Sequence, residues 1–280
     1  MVARARRLLN ERRIGHAGTL DPAATGVLPL AVGSATRVVE YLAESAKSYL
    51  AEITFGVATD SHDADGRVTA IDDASRLNQD AVEQALTPFR GSQQQIPPMH
   101  AAIKIGGKRL YDLARRGEEI ARAPRAIEIS RLSLIGWEQP IATVVVDCSK
   151  GTYIRALARD LGTALGVRAH LSNLVRLRTG PFSLDDAVTL AQLAELPLPE
   201  GWPVVAFHPD TVLANWPALI LDQRGRTDWY HGKPIPAEGA SPVPFRHCRV
   251  YDADGAWLGV GGKDDATNMW RPLKVIERAA

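Results

Sequence analysis

The stretch Gly15-His16-Ala17-Gly18-Thr19-Leu20-Asp21-Pro22, continued by Ala23-Ala24-Thr25-Gly26, sets one carboxylate into an irregular backbone between glycines and a proline. Proline disfavours helical geometry in the residue before it, so the spacing predicts an extended Asp21, with Pro22 opening a short turn or helix. Asp21 then stands at an element boundary with its side chain free to enter a cleft. The same two residues also describe an ordinary helix start, with Asp as the cap and Pro as the first helical residue. The rest of the chain has to decide between the two.

Downstream lie Lys47-Ser48-Tyr49, Gly151-Thr152-Tyr153-Ile154-Arg155, Ala169-His170-Leu171-Ser172-Asn173-Leu174 and Arg176-Leu177. With Gly-His-x-Gly-Thr-Leu-Asp-Pro-x-Ala-Thr-Gly, these motifs and their spacing resemble the tRNA pseudouridine synthases of the TruB family. Gln95-Ile96-Pro97-Pro98-Met99 and Gly107-Lys108-Arg109-Leu110-Tyr111 match it as well. The resemblance runs continuously from Arg12 to Thr189 and more loosely to the end.

The chain has 280 residues, 45% of them hydrophobic, enough for one large domain or a large and a small one around a proper core. Cys148 and Cys248 are too few for a disulfide framework or metal cluster, and point to a reducing cytoplasm. No stretch approaches a membrane span, and the N-terminus is Arg-rich and amphipathic rather than an apolar signal core. The net charge of +1 hides an uneven distribution. Arg4, Arg6, Arg7, Arg12 and Arg13 form one basic run; Lys150, Arg155, Arg159, Arg168, Arg176 and Arg178 form another; the segment from Glu40 to Glu83 is acidic. Such a field steers a polyanion toward one face, while solvated helix faces account equally well for about half of these charges.

The apolar pattern predicts a helix over 1–12, a strand over 27–32, a helix capped by Ser34 and running to Leu42, and a strand over 49–55. A capped helix follows over 78–89, a strand over 101–105 ending in the Gly106-Gly107 turn, and a basic helix over 108–116. Long paired strands occupy 127–137 and 141–148, and Thr152 is expected to cap a helix ending at Gly166. No regular βαβ period and no glycine-rich phosphate loop occur, so the reading is an α+β fold with a mixed, long central sheet and flanking helices. Pro197, Pro199, Pro203 and Pro209 suit a stiff linker. Short strands over 249–251, 257–260 and 273–276 predict a small β-rich tail. The resemblance implies the pseudouridine synthase fold, mostly antiparallel, over 1–205, and a PUA-like RNA-binding domain over 206–280.

Asp60-Ser61-His62-Asp63-Ala64-Asp65-Gly66 alternates carboxylates before a glycine, but the turn glycine puts Ser61 where a first calcium ligand belongs, so no calcium loop is read. Histidines are scattered without zinc spacing.

What the resemblance implies is uridine isomerisation at tRNA position 55, in the T loop, by a monomer without metal or cofactor. The N1–C1′ bond breaks, the base turns and C5 takes its place. Asp21 is the ionised carboxylate; the residues leave open whether it attacks C1′, attacks C6 or takes the 2′ hydrogen. Tyr49 stacks on the base, and its hydroxyl can take part in proton removal. Arg155 pairs with Asp21, Tyr153 lines the pocket near the helix start, and Leu174 walls it. His16 fills the stack left by the flipped uridine. Lys104, Lys108, Arg109, Arg115 and Arg116 close over the RNA from one side.

Two departures from the family pattern stand out. Members usually begin with a further strand and a Lys-Pro loop ahead of the first helix, whose loss here is expected to weaken the sheet edge and the support beneath Tyr49. Met99-His100-Ala101 replaces the usual Met-Tyr-Ser. The competing readings are a non-catalytic tRNA-folding factor, which has no need of Asp21, and a glycosidic hydrolase, which calls for a second carboxylate absent from the motif.

Overall fold

The computed structural model describes residues 1–101, 103–114, 116–118, 120–197, 201–236 and 245–276. They form two compact units, both discontinuous in sequence: Met1–Ala17, Leu30–Leu42 and Val188–Ala280 make one, and Gly18–Pro29 with Ala43–Ala187 make the other.

The second unit is built on a seven-stranded sheet. Its order is Phe182–Ser183, Ala169–Thr179, Lys47–Phe55, Ile141–Cys148, Arg125–Glu138 and Gly91–Gln95, every neighbour antiparallel, with Thr25–Gly26 pairing in parallel with Ala169–Thr179. Strict alternation drives the Lys47–Phe55 strand: Tyr49, Ala51, Ile53 and Phe55 face inward. That strand is bonded on both sides, so Tyr49 stands inside the sheet. Leu157 and Leu161 of the Ile154–Ala164 helix and Val82 and Leu86 of the Gln79–Leu86 helix close the same core. Asn78 caps the latter by accepting from the Ala81 N–H at 2.9 Å, and Pro88 turns its end into a short 3-10 helix.

In the first unit the Val2–Leu9 helix buries Ala5 and Leu9 against Ile14 and Leu193. A five-stranded sheet forms its C-terminal part, in the order Ala218–Leu221, His247–Asp252, Trp257–Asp264, Met269–Val275 and Ile235–Pro236. The Gln223–Tyr230 helix seals it with Trp229, whose indole N–H donates to the Leu258 carbonyl at 3.1 Å.

The α+β architecture and the β-rich tail hold; several local expectations do not. Residues 27–29 are not strand, which covers only Leu30–Val32. Ser34 caps nothing: the chain enters a 3-10 helix at Gly33, whose carbonyl accepts from Thr36 Oγ1 at 2.7 Å. Thr152 also fails as a cap, because its hydroxyl donates to the Ser149 carbonyl at 3.0 Å and Tyr153 takes the cap position. Lys108–Arg109 is the return strand of a hairpin, leaving a helix of Leu110–Ala114 only. Part of the proline-rich stretch is ordered as 3-10 helices at Trp202–Val205 and Pro209–Leu213. Arg115 and Pro199 lie outside the described residues.

Candidate active site

Asp21 does not cap a helix. Its carbonyl accepts from the Ala24 N–H at 3.0 Å, closing a single turn after Pro22. The turn is laid on the Ala169–Thr179 strand at Gly26, which has φ +99° and no room for a side chain: a Cβ there would lie 2.2 Å from the Arg176 carbonyl oxygen.

Freed from capping, the Asp21 carboxylate meets Arg155. The guanidinium is only 5% exposed and all its charge is used. Nη2 lies 2.8 Å from Asp21 Oδ1 and donates to the His100 carbonyl at 2.9 Å; Nη1 lies 3.3 Å from Asp63 Oδ2 and donates to the Ser61 carbonyl at 3.2 Å. One cation thus serves two carboxylates. Burial raises the Asp21 pKa above its ordinary value; Arg155 opposes this, and the charges of Asp63 and Asp65 add to it. A desolvated carboxylate that shares its cation with a second carboxylate is a candidate for attack or proton abstraction.

A small open cleft lies here, lined by Asp21, Ala23, Ala24, Asp63, Leu171 and Leu174 among others. Leu174 forms part of its wall. Tyr49 is buried at 7% exposure, and its phenol is pushed up to about 12, chiefly by burial, while the nearby Arg176 charge opposes this. Tyr153 packs with Ala101, Leu110 and Leu113, while the Gln95 side chain grips its backbone, accepting from its N–H at 2.8 Å and donating to its carbonyl at 3.1 Å. Gln95 thereby fixes the start of the helix that carries Arg155. His16 belongs to the first unit, exposed at the end of a short strand opposite Leu30.

Sequence reasoning missed Asp63, Gln95 and Arg176. The Asp60–Gly66 loop contributes Asp63 to Arg155, so its carboxylates answer to an arginine instead of a cation from solution. The second carboxylate that the Asp21 motif lacks is supplied by the fold. The second basic run also reads differently in three dimensions: Arg155 and Arg176 are buried, Arg168 sits 3.7 Å from Asp72, Arg159 pairs with Asp160 at 2.7 Å, and Lys150 pairs with Glu44. It is not an open cationic face. Among the described residues no three His, Cys, Asp or Glu side chains are grouped to hold a metal ion, and no helix is long and apolar enough to cross a membrane.

Residues 6–154 match the model of the TruB family pseudouridylate synthase N-terminal domain, and 155–199 that of the tRNA pseudouridylate synthase B C-terminal domain. A protein of Symbiobacterium thermophilum named tRNA pseudouridine synthase B is 49% identical over 235 residues, covering 83% of this chain and 77% of that one. Its namesake in Pseudomonas aeruginosa is 42% identical over 267 residues, 94% of this chain and 87% of that one. Among solved structures, a chain of a Cbf5-Nop10-Gar1 complex superposes with a TM-score of 0.75 at 23% identity, over 99% of this chain and 79% of its own, which shows the shared fold.

Proposed function

The chain belongs to the TruB family of pseudouridylate synthases, an isomerase of uridine to pseudouridine in tRNA, and on that premise we propose that Asp21 is its catalytic carboxylate and the T-loop uridine at position 55 its target. The observation that carries the assignment is the 2.8 Å pair between Asp21 and buried Arg155 beside an open cleft that Asp21 lines. Asp21 supplies the negative charge beside the glycosidic bond as N1–C1′ breaks. Leu174 and the small Ala23 and Ala24 walls hold the detached uracil while it turns. The Tyr49 ring supports the base and its hydroxyl takes part in moving the C5 proton once C5–C1′ has formed; N1 takes up a proton, and the reaction is redox-neutral. Tyr153 shapes the pocket at the helix start, and His16 fills the stack left by the flipped nucleotide.

In this reading residues 1–205 form the catalytic domain and 206–280 a PUA-like RNA-binding domain, acting as a cytoplasmic monomer. Two free, buried cysteines support a reducing compartment. The test is a T-stem-loop RNA incubated with the purified chain: conversion of its uridine, without change of mass, to a product resistant to glycosidic cleavage is expected. An unaltered uridine under saturating enzyme overturns the proposal.

A further inference from the structure

Arg176 reads in the sequence as one cation of a surface run, yet in the fold it is 1% exposed. It lies directly across the sheet from Tyr49. Its guanidinium spans two acceptors: Nε donates to the Val27 carbonyl at 2.7 Å and Nη2 to the Gly18 carbonyl at 3.1 Å. Its own backbone carbonyl accepts from the Val27 N–H at 2.8 Å. Gly18 and Val27 bracket Asp21 in sequence, so both ends of the loop that presents the carboxylate are tied to this one residue.

Among the described residues Arg176 makes no ion pair with a carboxylate, and the buried Lys47 lies near it, its ammonium held below its ordinary pKa by burial and by Arg176. A buried guanidinium without a counterion is costly, and stability alone gives little reason for it. Its value lies in geometry: a rigid planar fork reaches two carbonyls in fixed directions, as a point-charge ammonium cannot.

We propose that Arg176 is a positioning residue for the isomerisation, holding both ends of the Asp21 loop through a single guanidinium against the strand that carries Tyr49. This rests on the reading of Asp21 and Tyr49 given above.

The test compares Arg176→Lys, Arg176→Met and Asp21→Asn in the full chain with T-stem-loop RNA. Single-turnover rate, RNA affinity and amide hydrogen exchange are measured on each. Arg176→Lys is expected to lose about 100-fold in rate, the scale of an ångström-sized misplacement of a reacting group, with affinity unchanged within about threefold because phosphates supply it. Exchange should quicken at residues 18–27 and stay as in the parent over Lys47–Phe55 and Ile154–Ala164. Arg176→Met should be slower still. Wild-type turnover by Arg176→Lys beside an inactive Asp21→Asn removes this inference alone. Faster exchange across the whole sheet reduces Arg176 to a structural part and overturns it too. Turnover by Asp21→Asn removes the reading of Asp21 and the inference with it.

Discussion

Two aspartates of this molecule each lie beside an arginine and behave in opposite ways. Asp210, in the C-terminal part, accepts from the Tyr251 hydroxyl, contacts His208 Nδ1, and has the Arg249 guanidinium 3.8 Å away. Burial works against its charge, but these partners outweigh burial, and Asp210 titrates below the usual carboxylate range. Asp21 has Arg155 at 2.8 Å and still titrates above that range, because burial and the facing charges of Asp63 and Asp65 exceed what Arg155 returns. Distance to an arginine therefore says little by itself. An aspartate with several donors is a settled structural group, whereas one sharing its cation with a second carboxylate is poised for chemistry.

Rate separates the two most widely. Asp21→Asn is expected to lower single-turnover pseudouridine formation by about 10⁴-fold or more, the scale of losing one member of a catalytic unit. Asp210→Asn should stay within about twofold at saturating RNA, since it touches no reacting atom. Comparable losses in both would erase the distinction. Arg155→Met comes next, at about 10²–10³-fold, as for removal of one preorganised charge partner. Its pH profile carries the sharper signal. Arg155 lowers the Asp21 pKa, so its removal lets burial and Asp63 lift that pKa further, and the acid limb of the rate moves to higher pH. An unmoved limb would detach Arg155 from the ionisation of Asp21.

The poised aspartate was legible in the sequence and its surroundings only partly so. Gly18, Pro22 and Gly26 act locally, so the turn that frees Asp21 can be read from residue types alone. Arg155 and Leu174 come with motifs. Arg176 also sits in a motif, but its inward direction could not be read there, because a register shift between Leu171 and Asn173 resets the alternation so that Leu174 and Arg176 share a buried face. Asp63 is hidden for another reason, since only long-range pairing of its loop with Leu171 brings it to Arg155. Thr152 fails as a cap because its hydroxyl donates to the Ser149 carbonyl and Tyr153 takes the cap position. The Ala218–Leu221 strand and the Gln223–Tyr230 helix escape a pattern reading because one is too short for periodicity and the other has Gly225 in its middle and mostly polar residues.

Stability offers a smaller contrast of opposite sign. At neutral pH Asp210→Asn should cost about 1–3 kcal/mol, by weakening charge-assisted hydrogen bonds to Tyr251 and leaving Arg249 less well compensated. Asp21→Asn should cost nothing or raise the urea midpoint, because it removes a desolvated negative charge while Asp63, Ser61 and His100 still occupy Arg155. A clear destabilisation by Asp21→Asn would mean that its pair with Arg155 holds the fold together and is not poised against it.

The smallest effect is the pH dependence of that stability, and it tests the two directions separately. For Asp210 the folded pKa lies below the ordinary 3.8, so its ionised form stabilises the native state above 3.8, and this is lost as pH falls through the folded value. For Asp21 the folded pKa lies above 3.8, so between the two values the native state binds more protons than the unfolded chain, and stability declines as pH rises through that window. Subtracting each variant's urea-derived stability from that of the parent, pH by pH, isolates each aspartate from the other titrating carboxylates. The Asp210→Asn difference should shrink toward acid pH below 3.8. The Asp21→Asn difference should grow in the variant's favour as pH climbs above 3.8 and then level off. If both differences ran in the same direction, the two arginine-paired aspartates would be one kind of group, and the asymmetry on which Asp21's role rests would be gone.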